Sequence, residues 1–104
     1  MIALDRVEGF DWDECNARKS VKKHNVSQAE AETVFFGDPL LVVPDPRHSQ
    51  TEARYHALGK TAEGRRLHIV FTLRRHGTLI RVISARDMNR KERRVYASET
   101  ETRA

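Results

Sequence analysis

Residues 45–52, Asp-Pro-Arg-His-Ser-Gln-Thr-Glu, gather turn formers with side chains able to hold or move a proton, and loops of that kind are where chemistry usually sits. His48 titrates near neutral pH in its ordinary state. Glu52 is a carboxylate that flanking arginines would keep ionised and aim. Arg54 and Arg81 carry planar guanidinium groups, which pair bidentately with phosphate oxygens and keep their charge at neutral pH. Together these residues suit acid–base chemistry on a phosphate ester. Plainer readings stand beside each: Glu52 in a loop-edge salt bridge, and His48 as one of five histidines. Arg81 is the most telling, because it stands between Ile80 and Val82, where a charge costs stability, whereas Arg74 and Arg75 fall in a turn.

The charge distribution supports a polyanionic partner. Residues 65–94 hold ten Arg or Lys against Asp87 and Glu92, a local charge of +8, which leaves −4 on the rest of a 104-residue chain of net charge +4. Cations meeting phosphates release condensed counterions, so such polarisation favours nucleic acid, with a merely solvated basic surface as the alternative. The single cysteine, Cys15, allows no internal disulfide and no Cys-based zinc pattern. His68 and His76 flank a hairpin without a helical His pair, so neither metal nor cofactor is expected. No apolar run approaches a membrane span, and the acidic N-terminus does not read as an export leader. A cytoplasmic protein without membrane contact is expected.

The elements that must position these groups read as one α+β domain. Asp11 and Glu14 predict a capping box for a first helix from Trp12 to His24, with Asn25 as its stop; Phe10 and Trp12 alternate with Asp11 as a short strand or an anchoring step before it. Ser27 and Glu30 repeat the capping logic for a second helix at 28–36, closed by Gly37-Asp38-Pro39. Leu40–Val43 then reads as a strand that Pro44 ends. Residues 53–60, 66–73 and 78–85 follow as strands, with turns ending in Gly64 and Gly77, an antiparallel meander of about four strands in all. Leu67, Ile69, Phe71 and Leu73 should face the helices, and Arg54, His56 and Arg81 should share the open face with His68. Residues 88–97 predict a last helix with Met88, Val95 and Tyr96 inward, and 98–104 a frayed tail.

A series of short motifs resembles one family. Phe10-Asp-Trp12-Asp13, Lys23-His24, Val34-Phe35-Phe36-Gly-Asp38-Pro39, Asp45-Pro-Arg-His48-Ser49 and Glu52-Ala-Arg54 all resemble the BrnT toxins. So do Gly59, Arg65-Arg66-Leu67, the block from Ile80 to Arg86, and Glu92-Arg93-Arg94-x-Tyr96, over residues 10–96 or so. The chain departs from the family's usual pattern at Asn16, where Lys is expected, at Ser20, where Asn is, and at Asn25, where Gly is. Asn25 is benign because Asn tolerates the left-handed conformation.

The resemblance implies a RelE-like fold and metal-independent RNA cleavage that blocks translation. It also implies neutralisation by a BrnA-type ribbon-helix-helix antitoxin, with operator DNA bound only through that antitoxin. Such cleavage needs a base for the 2′-hydroxyl, cations for the phosphorane-like charge and an acid for the leaving oxygen. Glu52 is the candidate base, Arg54 and Arg81 the phosphate clamp, and His48 an acid or base. Arg86 either extends the cationic site or caps the last helix. His56 and His68 would line the face beside substrate bases, and Lys23, Arg90 and Arg94 are further RNA-contact candidates. Arg90, Lys91, Arg93 and Arg94 cover more than one side of their helix, so they cannot all grip one partner. Tyr96 either stacks on a base or pins the last helix, and Trp12 reads as core. The same residues would also serve a non-catalytic RNA binder, or a decayed toxin that only binds its antitoxin.

Overall fold

Along the central strand Leu67, Ile69 and Phe71 alternate with His68, Val70 and Thr72, and that alternation sorts the molecule into two sides. The computed structural model describes residues 4–48 and 52–101. Its elements are β1 (Gly9–Phe10), α1 (Glu14–His24), α2 (Gln28–Phe36), β2 (Leu41–Asp45), β3 (Arg54–Lys60), β4 (Arg66–Arg74), β5 (Leu79–Asp87) and α3 (Arg90–Glu101). The sheet order is β1-β5-β4-β3-β2, an antiparallel meander from β2 to β5 with β1 added parallel at the β5 edge. The meander of about four strands is joined by a fifth, β1, the short strand at Phe10 that is one of the two readings of the Phe10–Trp12 alternation, though it spans Gly9–Phe10 and not Trp12.

On one side Leu67, Ile69, Phe71, Ile80, Val82 and Ala85 bury against Val26, Ala31 and Val34 from α2 and its approach. Phe35 meets Phe71 edge-on at 5.1 Å. Gly59 lets α2 come this close, since a Cβ there would stand 2.8 Å from Val34 Cγ1. Trp12 packs against this core and its indole N–H donates to Glu32 at 2.7 Å. The other side carries α3 at one end only, where Tyr96 donates its hydroxyl to Pro39 O at 2.6 Å and so pins the helix.

Several boundaries differ from expectation for identifiable reasons. α1 begins at Glu14, capped by Asp13 instead of Asp11: the Asp13 carboxylate accepts from Asn16 N, and Asn16 Oδ1 accepts from Asp13 N. Asn16 is buried, and its amide also donates to Asp11 O and Val82 O, so the residue that departs from the family's Lys stitches α1 to β5. β2 runs through Pro44 to Asp45 because it is an edge strand, where a missing N–H is tolerated. α3 continues through 98–101, with Thr100 Oγ1 donating back to Tyr96 O; the rest of the expected frayed tail, 102–104, lies outside the described residues. Val95 is exposed, not inward. Asn25 stops α1 at φ 55° and the Ser27–Glu30 capping box forms, both as expected.

Arg65 closes the seam between the helices and the meander. It donates to both Asp87 carboxylate oxygens (2.7 and 3.0 Å), to Glu30 at 3.1 Å, and to the carbonyls of Asn25 and His24 at the end of α1. Asp87 is held below the usual carboxylate range by Arg65, and Glu30 by the Ser27 backbone N–H first and Arg65 second. With folded-state values depressed, the unfolded chain takes up protons first, so this stabilisation is present above the ordinary values of 3.8 and 4.5 and fades as pH falls through the folded ones. Arg65→Ala should cost about 1–2 kcal/mol at neutral pH, an amount kept small by the exposure of Asp87. Urea denaturation should also show a shallower loss of stability below about pH 4 in the variant than in the parent.

Candidate functional site

The register fixes what the uncovered side of the sheet presents. Asp45 lies opposite Arg54, Arg54 opposite Thr72, and Thr72 opposite Arg81, a row running across four strands. With strands about 4.8 Å apart, the Arg54 and Arg81 backbones stand roughly 10 Å from each other, on the same face, with Thr72 between. Thr72 is buried and donates to Ala53 O at 2.6 Å, which fixes the start of β3. A bulge between Val70 and Phe71 inserts Ile83 into β5; it switches the phase so that Val82 and Ile80 enter the core and Arg81 turns to the open side. Arg54, His56 and Arg81 do share one face.

One step toward the β4–β5 hairpin, Glu52 pairs with Arg74 through two contacts of 3.0 Å. Arg74 ends β4 instead of lying in the turn, and its side chain follows Thr72 onto the same face. Glu52 thus sits beside the row, about one third exposed and aimed by an arginine other than those adjacent in sequence. Arg81, only 18% exposed, is held by Asp13 at 2.8 Å and Asp11 at 3.5 Å, two carboxylates that stand on its guanidinium much as phosphate oxygens would. The Asn16 backbone first, and Arg81 second, keep Asp13 below the usual carboxylate range. His48 ends a 3-10 turn, Pro46–His48; its side chain and residues 49–51 lie outside the described part of the structure.

In the opposite direction along the sheet lies a chain of titratable groups. Asp45 Oδ2 is 2.8 Å from His56 Nε2, and His56 Nδ1 is 2.7 Å from His68 Nε2. The two rings lie within 21° of parallel. His68 Nδ1 is buried with no hydrogen-bond partner, and the nearest acid is Glu92 of α3 at 3.8 Å. Glu92 in turn takes both terminal nitrogens of Arg86 at 2.8 Å and forms a capping box with Asn89. Arg86 therefore secures the start of α3. Burial opposes the Glu92 charge, yet Arg86 and the Asn89 backbone hold its pKa below the ordinary value.

His68 thus lies beneath α3, not beside an accessible base, while His56 is half-buried at the edge of the open face. Arg90, Lys91 and Arg94 are exposed along α3. Lys23 sits apart, in the last turn of α1, whose end Arg65 holds on the helix-covered side. The sequence reading missed Asp45, Arg74, Asp13 and the His56–His68 pairing. Alternation placed both histidines on one face, but only the register shows that their rings meet. Among the described residues no group of three or more His, Cys, Asp or Glu is placed to hold a metal ion. No helix there is long and apolar enough to cross a membrane.

A family profile described as "Ribonuclease toxin, BrnT, of type II toxin-antitoxin system" matches residues 12–92. No curated protein matches the chain. The matched span takes in this face from Asp13 to Glu92 and leaves out Asp11.

Desolvation pushes His68 down to about 4, with Arg86 and His56 adding to the effect and Glu92 opposing it. The unfolded chain would bind a proton near 6.5 that the folded one refuses, so stability should decline as pH falls from about 6.5 toward 4. The slope contributed by this one group approaches about 1.4 kcal/mol per pH unit. His68→Gln should flatten that decline in chemical denaturation series, whereas identical slopes would mean that His68 is charged in the native protein.

Proposed function

The chain belongs to the BrnT family of ribonuclease toxins of type II toxin–antitoxin systems, so its substrate class is RNA and its partner an antitoxin, and from that premise we propose that the Arg54–Thr72–Arg81 row is where the scissile phosphate binds. Cleavage there proceeds without a metal. The 2′-oxygen attacks the adjacent phosphorus as its proton passes to Glu52, the bond to the 5′-oxygen breaks, and that oxygen takes a proton from an acid, for which His48 is the candidate. Arg54 and Arg81 hold the equatorial oxygens and offset the charge that grows on them. Arg74 keeps Glu52 ionised and oriented.

The observation that carries this reading is the placement of two arginines on one face and one row, with a carboxylate one step away. A guanidinium this close to an apolar core needs a reason, and an anion between two of them supplies one. In the bare protein Asp11 and Asp13 stand on Arg81, and substrate phosphate displaces them. The RelE-like description of the fold, inhibition of translation, cytoplasmic action and neutralisation by a BrnA-type ribbon-helix-helix protein belong to the same proposal. So do RNA contacts from exposed Arg90 and Arg94.

Purified protein should generate new RNA ends in the presence of EDTA. Glu52→Gln and Arg81→Ala should each slow that cleavage by about 100-fold or more, with circular dichroism confirming the fold. Undiminished cleavage by both variants would remove the assigned site. RNA binding without any cleavage by the parent protein would point to a non-catalytic binder, and antitoxin binding without either to a decayed toxin.

A further inference from the structure

The orphaned ring nitrogen of His68 is informative once the protons are counted. With Asp45 as the acceptor at one end, His56 must donate from Nε2, so a neutral His56 has a bare Nδ1. That Nδ1 lies 2.7 Å from His68 Nε2, which must therefore carry the hydrogen, and a neutral His68 is left with a bare Nδ1. This nitrogen faces Glu92, another acceptor, across 3.8 Å. The uncharged pair thus ends on two facing lone pairs. One added proton changes the whole chain: His56 Nδ1 donates to His68 Nε2, and His68 Nδ1 carries a hydrogen toward Glu92. All four ring nitrogens are then matched, and a single proton is shared by both rings.

We propose that the His56–His68 pair is the proton-responsive part of the RNA site, taking up one shared proton when a phosphate docks on the Arg54–Thr72–Arg81 row. This rests on the assignment of that row to RNA phosphate. His56 follows Arg54 by two residues on the same face, so an anion on the row sits roughly 7 Å from the pair. At an effective dielectric of about 20, a unit charge at that distance favours the protonated pair by roughly one to two pKa units. The charged groups facing the pair act in both directions. Asp45 reaches it from β2 and Glu92 from α3, both favouring the proton. Arg54 on β3, Arg66 and Arg74 on β4, Arg81 and Arg86 on β5 and Lys60 beyond Leu58 oppose it, but Glu92 and Glu52 hold Arg86 and Arg74, and Asp13 holds Arg81. Incoming phosphate tips the balance. The proton also adds a second attachment of α3 to the sheet, between His68 and Glu92, so RNA binding tightens the helix over the end of the face.

The test is calorimetric titration of the full chain with a 2′-O-methyl RNA oligonucleotide, which cannot be cleaved by 2′-oxygen attack, in buffers of different ionisation enthalpy. Near about pH 5, a little above the value of about 4 to which burial holds His68, the parent should take up a substantial fraction of one proton per oligonucleotide, and affinity should rise as pH is lowered from about 7 toward 5. His56→Gln and His68→Gln should each still bind but lose that uptake. In the parent, nitrogen-15 spectra of the imidazoles should show a bare Nδ1 on both rings without RNA, and with it a proton on each Nδ1, the one on His56 shared with the accepting His68 Nε2. Binding with no proton uptake, uptake that survives both substitutions, or ring nitrogens unchanged by RNA would each overturn the proposal and leave the row as the phosphate site. Failure of the parent to bind the oligonucleotide would instead remove the row's assignment, and this inference with it.

Discussion

Slipping β4 by one residue against its neighbours would carry Leu67, Ile69 and Phe71 to the open side and drive His68, Val70 and Thr72 into the core, because side chains on a strand alternate. That constraint governs the rest of the molecule. Burying three large apolar side chains outweighs any local preference of the polar ones, so the apolar set chooses the register and the polar set inherits its positions. Arg54, Thr72 and Arg81 fall into one row as a by-product of core packing, and His56 and His68 become diagonal neighbours for the same reason. The bulge at Ile83 is the one departure, and without it Arg81 would point into the helix-covered core.

The two sides are then served by different devices. On the apolar side α2 lies close over Gly59, and Arg65 draws the ends of α1, α2 and β5 together through Glu30 and Asp87. On the polar side three arginines are each matched to carboxylates: Arg74 to Glu52, Arg81 to Asp13 and Asp11, Arg86 to Glu92. The face is therefore pre-organised but self-satisfied. Under the proposed function a phosphate takes these arginines over by exchange with their carboxylates, which spares part of the cost of ordering long side chains when substrate arrives.

Much of the fold could be read from the chain because its signals are local. Ser27 and Glu30 are three apart and make the capping box they suggest; Asn25 takes the left-handed backbone its type permits; β2 to β5 follow the period-two alternation. What escaped was set at a distance or fell below the length that periodicity needs. Asp11 and Asp13 both offer caps to α1, and the choice of Asp13 depends on Asn16 reaching Val82 O, 66 residues away. β1 has two residues, too few to decide between the strand and the anchoring step that the sequence offers there, and the polar end of α3 has no apolar stripe to mark it. The site was legible in its residue types and in the face that Arg54, His56 and Arg81 occupy. Its pairings were not: Arg81 with Asp13, Arg74 with Glu52 and His56 with His68 are consequences of register, which no spacing along the chain encodes.

The most direct measurement is a crystal structure of the protein with a dinucleotide whose 2′-position is methylated, so that the phosphate stays intact. The expected result is phosphorus density above Thr72, with Arg54 and Arg81 both within hydrogen-bonding distance of its oxygens and Asp13 withdrawn from Arg81. A dinucleotide seated instead on Arg90 and Arg94 of α3, with the Asp13–Arg81 pair undisturbed, would contradict the row as the place where RNA is held and cut.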